Sequence, residues 1–129
     1  MRGTAAERRV GGALRSLSLR HSTRTGRLPG RPDFILTTRP VAIFVDGCFW
    51  HGCPRCFVPP RHNRGWWVMK IAKNRRRDLR KDRALRMLGF QVIHLWEHDG
   101  LERIERRLLS AAKRSSDRRT STRRSTGTR

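Results

Sequence analysis

Residues 41–56 read VAIFVDGCFWHGCPRC, and this stretch decides the fold. Its first part, Val41–Val45, is a continuous apolar and β-prone run, which is typical of a strand buried on both faces of a sheet. The loop that follows, from Asp46 to about Gly65, is long for a connection without secondary structure of its own. The cysteines and histidine within it indicate that a metal organises this loop.

The loop contains three cysteines within nine residues: Cys48, Cys53 and Cys56. This is an odd number for disulfides, and the spacing is more typical of a metal clip in a reducing compartment. A closed tetrahedral zinc site needs a fourth ligand, and we expect His98 to supply it, since it stands just past a strand end from which a side chain can reach a loop. His62 and His94 have only proximity in their favour. The alternative is a set of three reduced, buried cysteines.

Strands and helices are predicted on both sides of the central strand. Residues 28–32 force an extended or turning chain, and Asp33–Thr37 continues as a strand that pairs with Val41–Val45 across a turn at 38–40. A first helix is expected from Thr4 to about Leu19, where Thr4 and Glu7 fit a capping box. The remaining elements are a helix over 67–88, a strand over 90–96 and a closing helix near 101–112.

The helix over 67–88 has two predicted faces. Lys70, Asn74 and Asp78 stand four residues apart and therefore share one of them. The apolar residues are expected to face the core, and they are Val68, Ile71, Ala72, Leu79, Leu85 and Leu88. The sequence thus predicts one folded domain over 1–112 and a disordered basic tail over 113–129 that adds non-specific DNA affinity.

The charge of the chain indicates a polyanionic partner. Lys and Arg number 31 against 10 acidic residues among 129, a formal net charge of +21. Such a protein gains affinity for nucleic acid by releasing condensed counterions. No apolar run is long enough to span a bilayer, and the N-terminus lacks the apolar segment of a secretory signal, so we expect a cytoplasmic protein associated with the nucleoid and no membrane partner.

Candidate catalytic residues surround the central strand. Asp33 begins one strand and Asp46 ends the next, so a hairpin brings both carboxylates to one edge of the sheet, where a single Asp and a backbone carbonyl suffice to bind Mg²⁺. His51 is either a further zinc ligand or an imidazole free for acid/base work, and Asp78 is its candidate orienting carboxylate. Asp33 could instead cap a turn, and Asp78 could form a salt bridge with a basic side chain on its own helix.

Exposed aromatic pairs in a basic protein often stack on or wedge between bases. Phe49 and Trp50 fit this interpretation, although they could equally plug the core under the zinc loop. Trp66 and Trp67, at a helix start, pose the same choice, and their position favours the core.

Two long motifs resemble the very short patch repair (Vsr) endonuclease family: LPGRPDF at 28–34 and FVDGCFWHGCP at 44–54. Later residues fall in register with the same family pattern, and the resemblance covers roughly residues 3–112. The matching later positions are Asn63, Trp67, Lys70, Ile71, Asn74, Arg77, Asp78, Leu88, Gly89, Trp96, Glu97 and His98.

The resemblance implies an α/β restriction-endonuclease-like (PD-(D/E)XK-type) fold, a small mixed sheet flanked by helices with a structural zinc site. It also implies Mg²⁺-dependent nicking of double-stranded DNA 5′ to the thymine of a T·G mismatch. Asp33 and the Val45 carbonyl would bind Mg²⁺, and His51 would be the general base, assisted by Asp78. Glu7 falls on a position linked to the site, although its capping role explains it equally well.

The same resemblance implies how DNA is held. The aromatic residues Phe49, Trp50 and Trp67 would push into the duplex beside the mismatch, and Arg31, Lys70 and Asn74 would contact DNA. A single-strand nick needs one active site, so a monomer is expected, with recruitment by mismatch repair proteins left open. Cys56 replaces a histidine that many members have, and Asp46 one that some have. A non-catalytic zinc-stabilised DNA-binding module and a same-fold nuclease with another DNA substrate are the alternatives.

Overall fold

A computed structural model describes residues 4–48, 52–53 and 55–120, with side chains described as far as Lys113. The elements follow in the order α1 (Ala5–Ser16), β1 (His21–Ser22), β2 (Phe34–Leu36), β3 (Val41–Asp46), α2 (Arg64–Met87), β4 (Gln91–Trp96) and α3 (Leu101–Thr120). In the part of the chain so described, no helix is both long and apolar enough to cross a membrane.

The four strands form one mixed sheet in the order β1-β2-β3-β4. β2 pairs antiparallel with β3, Phe34 opposite Ile43, which confirms the predicted hairpin. β3 pairs parallel with β4 along its whole length, from Val41 opposite Gln91 to Asp46 opposite Trp96. Parallel neighbours need a crossover connection, and α2 provides it. The ends of β3 and β4 that follow Phe44 and His94 therefore meet at one edge of the sheet.

Alternate residues of β3 and β4 face two different environments. Odd-numbered residues such as Val41, Ile43 and Leu95 are fully buried in the core that packs against α1 and α3. The even-numbered residues point to the opposite face, where Phe44, Asp46 and His94 line a cavity beside α2. The apolar core thus lies on one side of the sheet, and polar side chains are concentrated on the other.

α1 begins as predicted, because the Thr4 hydroxyl accepts a hydrogen bond of 3.1 Å from the Glu7 N–H. Its apolar residues Val10, Ala13 and Leu14 are buried. The short strand β1 was not predicted. Its two polar residues carry no strand pattern, and they become a strand only by pairing with β2, His21 opposite Leu36.

The predicted apolar face of α2 is partly wrong. Ile71 and Leu85 are buried, whereas Val68, Leu79 and Leu88 are 45%, 60% and 61% exposed. The physical reason is that α2 packs over the polar face of the sheet, so Asn74 and Asp82 share its buried side with the two apolar residues. The helix also begins at Arg64, three residues before the predicted start.

α3 continues to Thr120, eight residues past the predicted domain end at 112. No proline or glycine interrupts the helix over 113–120, and the domain end at 112 stays a prediction. Residues 121–129 lie outside the described residues, and the basic tail stays a prediction there.

Candidate active site and metal centre

The predicted metal-binding edge lies where β2 and β3 meet. The carboxylate Oδ2 of Asp33 accepts a hydrogen bond of 2.7 Å from the Val45 N–H. The Asp33 N–H in turn donates to the Ile43 carbonyl at 2.9 Å. Since the N–H and C=O of one strand residue point to the same side, the Val45 carbonyl faces the side on which Asp33 lies. The carboxylate of Asp33 and the carbonyl of Val45 therefore share one edge of the sheet.

A cavity of about 750 Å³ opens beside this edge, between the start of α1, the ends of β3 and β4, and the middle of α2. Its lining confirms that the hairpin brings Asp33 and Asp46 to one edge. Carboxylate oxygens are the ligands that hard divalent cations prefer, so the cavity suits a cation although the chain as a whole is strongly basic. The carboxylates that line it are Glu7, Asp33, Asp46, Asp78, Asp82 and Glu97.

α2 turns a polar face toward the sheet, with residues at four-residue intervals. Asn74 is buried, and its Oδ1 accepts a hydrogen bond of 2.8 Å from Arg77 Nη2. Asp78 is half-buried and Asp82 is buried, and both line the cavity. The sequence predicted the shared face of Asn74 and Asp78 but missed Asp82, the next residue along it.

His94 stands at the centre of a polar bridge that sequence reasoning missed. Its Nδ1 lies 2.6 Å from Asp46 Oδ2, and its Nε2 lies 2.7 Å from Asp82 Oδ2. Phe44 stacks on the imidazole at 4.8 Å between ring centroids. Burial of the ring opposes its charge, but the hydrogen bonds to Asp46 and Asp82 raise the pKa of His94 to about 9. The β3–β4 register places His94 opposite Phe44, two residues before the residue opposite Asp46. Without that register, the sequence does not reveal that His94 reaches Asp46.

This pKa predicts that the fold loses stability as the pH rises from 6.5 through about 9. Below pH 6.5 the His94 ring is charged in both the folded and the unfolded chain, so the bridge makes its full contribution to the free energy of unfolding. As the pH rises above 6.5, that contribution declines, and it is lost once the folded chain also releases the proton near pH 9. The shift corresponds to at most about 3 kcal/mol. Urea unfolding of wild type and His94→Gln, with zinc present, should show an advantage of the wild type that narrows between about pH 6 and about pH 9.5. A constant difference would contradict the raised pKa.

The four predicted zinc ligands come together at the end of β4. The sulfur atoms of Cys48, Cys56 and Cys53 lie 3.1, 3.4 and 3.8 Å from His98 Nδ1, and all four ligand atoms lie within 4.8 Å of one another. A tetrahedral zinc ion places sulfur and nitrogen ligands about 3.5 Å apart. This Cys3His group could therefore hold a metal, and its soft donor set suits zinc.

Burial and the contacts among the cysteines set their ionisation. Burial, together with the hydrogen bond to Cys56, raises the pKa of Cys48 to about 12. Burial acts in the same direction on Cys53, but hydrogen bonds from the backbone of Cys56 and Arg55 leave the pKa of Cys53 below its usual value. A metal that binds the thiolate of Cys48 must displace the proton of that thiol.

Acidic side chains tie this metal centre to its surroundings. The buried carboxylate of Asp99 lies 3.2 Å from Arg103 Nε and 3.7 Å from His98 Nε2, so its charge is on the side of the imidazole away from the cysteines. Glu97 Oε1 accepts a hydrogen bond of 2.7 Å from the Cys48 N–H. Because Glu97 also lines the cavity, the metal centre and the carboxylate edge are adjacent parts of one site.

Gly52 lets the cysteine loop pack directly on α2. Its φ is +66°, and a Cβ added there would lie 2.7 Å from Ile71 Cγ2. We expect Gly52→Ala to cost about 2–4 kcal/mol of unfolding free energy, from left-handed backbone strain and overpacking. Gly65→Ala is the matched control, because no atom of the described residues lies within 4 Å of a Cβ added there and the residue is in a helix. Thermal unfolding should show a clear loss for Gly52→Ala alone; equal midpoints would contradict the close packing.

Other predicted residues are placed around the same cavity or beside it. Glu7 lines the cavity, and its N–H donates to the Thr4 hydroxyl that caps α1. Arg31 lines the cavity and is exposed. Trp66 is 57% exposed, and Trp67 is half-buried against it edge-to-face, so a pure core role for Trp66 is wrong. Lys70 is half-buried.

The predicted base and wedge lie outside the described residues. These are His51, Phe49 and Trp50. Their flanking residues Cys48 and Gly52 are described and buried, and Gly52 packs on α2.

Residues 1–56 match the family model described as DNA mismatch endonuclease Vsr. Among curated relatives, the Type II nicking enzyme V.NmeDIP of Neisseria meningitidis serogroup C is 36% identical over 100 residues, 76% of this chain and 68% of the relative. The DNA mismatch endonuclease Vsr of Escherichia coli K12 is 38% identical over 98 residues, 74% of this chain and 62% of the relative. V.NaeI of Lentzea aerocolonigenes, also a Type II nicking enzyme, is 40% identical over 72 residues, 56% of this chain.

The match to V.NaeI spans only 43% of that relative's length. The match to V.NmeDIP spans more than two thirds of that relative's length at well over 30% identity. The residues that match the family model include Asp33 and all three cysteines. On this evidence the chain belongs to the Vsr family of DNA mismatch endonucleases.

Proposed function

We propose that this protein nicks one strand of double-stranded DNA 5′ to the thymine of a T·G mismatch, with Mg²⁺ as catalytic cofactor and Zn²⁺ as structural cofactor. The observation that carries the proposal is the shared edge of Asp33 and Val45, which opens into a cavity lined by Asp78 in a chain of the Vsr family. The β2–β3 hairpin followed by the β3-α2-β4 crossover supports a restriction-endonuclease-like fold.

The oxygen donors at this edge fit a hard cation. Asp33 and the Val45 carbonyl would hold Mg²⁺, which when bound supplies positive charge against the phosphate and its leaving oxygen. His51 takes the proton of the attacking water, and Asp78 orients its imidazole. Glu7 shapes the negative potential of the same cavity from α1. The cysteines and His98 hold the loop that carries His51 and take no part in proton transfer.

Recognition of the mismatch uses the loop held by the zinc and the start of α2. Phe49, Trp50 and Trp67 enter the base stack, and a T·G wobble costs less to unstack than a proper pair. Arg31 and Lys70 contact the DNA directly. Asn74 is buried, so it contributes by holding the exposed Arg77. One site per nick suffices, so the active species is a monomer.

Strand-specific nicking of labelled duplexes tests the proposal. The substrates carry either a T·G pair or a matched C·G pair at one position in several sequence contexts, and each is incubated with Mg²⁺ or with EDTA. We expect a nick only beside the mispaired thymine and only with Mg²⁺. Tight binding without a nick in any context would instead establish a non-catalytic DNA-binding module.

A second candidate is nicking set by the flanking sequence. Two of the relatives are named Type II nicking enzymes, which favours a nuclease of this family that acts within a defined sequence. The same experiment separates the candidates, because nicking of matched C·G duplexes in one context would favour sequence-directed nicking over mismatch recognition.

A further inference from the structure

His94 connects three elements at the floor of the cavity. It stands on β4, while its two partners stand on β3 (Asp46) and α2 (Asp82). The two hydrogen bonds, of 2.6 and 2.7 Å, are short, as is typical of charge-assisted bonds. An ionised carboxylate can only accept, so both ring nitrogens must donate, and the bridge contains an imidazolium between two carboxylates.

The bridge is held from behind as well. Phe44 stacks against one face of the ring at an interplanar angle of 10°, and Arg107 of α3 donates a hydrogen bond to the His94 carbonyl. The backbone and ring of His94 are thus fixed independently of its two carboxylate partners. The bridge is therefore rigid, since neither Asp46 nor Asp82 can shift without breaking its hydrogen bond to His94.

Each end of the bridge lies next to a proposed functional residue. Asp46 directly follows Val45, whose carbonyl is a proposed ligand for Mg²⁺, and Asp82 stands one helical turn after Asp78, the proposed partner of His51. The face of α2 that meets the sheet is only half apolar, with Ile71 and Leu85 separated by Asn74 and Asp82. Apolar packing alone therefore gives the middle of α2 little positional restraint.

We propose that His94 is a positioning residue: by bridging Asp46 and Asp82, it fixes the metal-binding edge of β3 against the face of α2 that carries Asp78. The inference rests on the proposed function, for which it adds two residues, His94 and Asp82, to the supporting machinery. A small displacement of reacting groups is enough to slow an enzyme greatly, so loss of the His94 bridge should lower the rate of the chemical step.

The experiment compares wild type, His94→Gln, Asp82→Asn and the double variant by single-turnover nicking of the T·G duplex. His94→Gln should lower the rate constant about ten- to a hundredfold, because it leaves Asp82 as a buried carboxylate without its cationic partner. In the double variant, the amide introduced at 94 can donate to Asp46 and accept from the amide introduced at 82. We therefore expect the double variant to recover much of the rate lost in His94→Gln.

Three further measurements separate positioning from general stability. The Kd for an uncut duplex measured with zinc but without Mg²⁺, the zinc content and the folded fraction at the assay temperature should all match wild type for each variant. His21→Gln is the matched control, since His21 is also half-buried and hydrogen-bonded, to the Leu19 carbonyl at 2.9 Å, but lies outside the cavity. It should leave the rate unchanged.

Each contrary result has a distinct meaning. If wild type and His94→Gln nick the T·G duplex equally fast, the positioning role is overturned and the proposed function is left intact. A rate loss that follows the folded fraction, or one that the double variant does not recover, also overturns it. If wild type nicks no duplex, the proposed function itself is wrong and the positioning role with it.

Discussion

Asp33→Asn should reduce strand nicking by about a thousandfold while leaving DNA binding intact, since a ligand to a catalytic cation accounts for several kcal/mol of transition-state stabilisation. The asparagine Oδ1 can still accept the 2.7 Å hydrogen bond from the Val45 N–H, so the β2–β3 edge should keep its geometry. Only the negative charge that attracts the cation is lost. Single-turnover nicking at saturating enzyme measures the effect on chemistry alone.

Glu102→Gln is the matched control for this substitution. It removes the same charge from an exposed position in the first turn of α3, which does not line the cavity. Both variants become more basic by one charge, so any general gain in phosphate affinity is the same in each. Nicking by Asp33→Asn at the rate of Glu102→Gln would show that Asp33 is not a metal ligand, whatever its place at the sheet edge.

The parts of the site that the sequence predicted are those fixed by local pattern. A hairpin of two strands places Asp33 near the end of β3 whatever the rest of the fold does, and the apolar run Val41–Val45 identifies that strand unambiguously. The Cys3His group that could hold a metal was predictable for a related reason, because Cys48 and Cys53 are soft donors at a spacing that few other uses explain.

The parts that the sequence did not predict depend on pairing between distant elements. His94 looks like one polar residue in an apolar strand until the parallel register places it opposite Phe44, within reach of Asp46. The exposed residues Leu79 and Leu88 were assigned to the core because helical spacing cannot tell which face meets the sheet, nor that this sheet face is polar. Burial of Asp82 follows from the same contact.

Cys53→Ser should remove the zinc and with it most of the stability of the cysteine loop. Cys53 is 1% exposed and lies among the other three ligand atoms, so its replacement by serine removes one of the four donors from a buried group, and a hydroxyl is a much weaker zinc ligand than a thiolate. We expect zinc content to fall well below one ion per chain and the thermal midpoint to drop by about 10 °C or more. Nicking should be lost in parallel, since His51 lies in this loop between two of the ligands.

Cys56→His gives the contrast that assigns this loss to the metal. Cys56 is the exposed member of the group, its sulfur lies 3.4 Å from His98 Nδ1, and an imidazole there can still donate a nitrogen to zinc. We expect this variant to keep its zinc, its thermal midpoint and its nicking activity. If Cys53→Ser and Cys56→His lose stability equally while both retain zinc, cysteine packing and not metal binding holds the loop. If a zinc-selective chelator, added to wild type with Mg²⁺ in excess, reproduces Cys53→Ser and adding zinc reverses it, the link from metal to loop to nicking is direct, because the chelator changes no side chain.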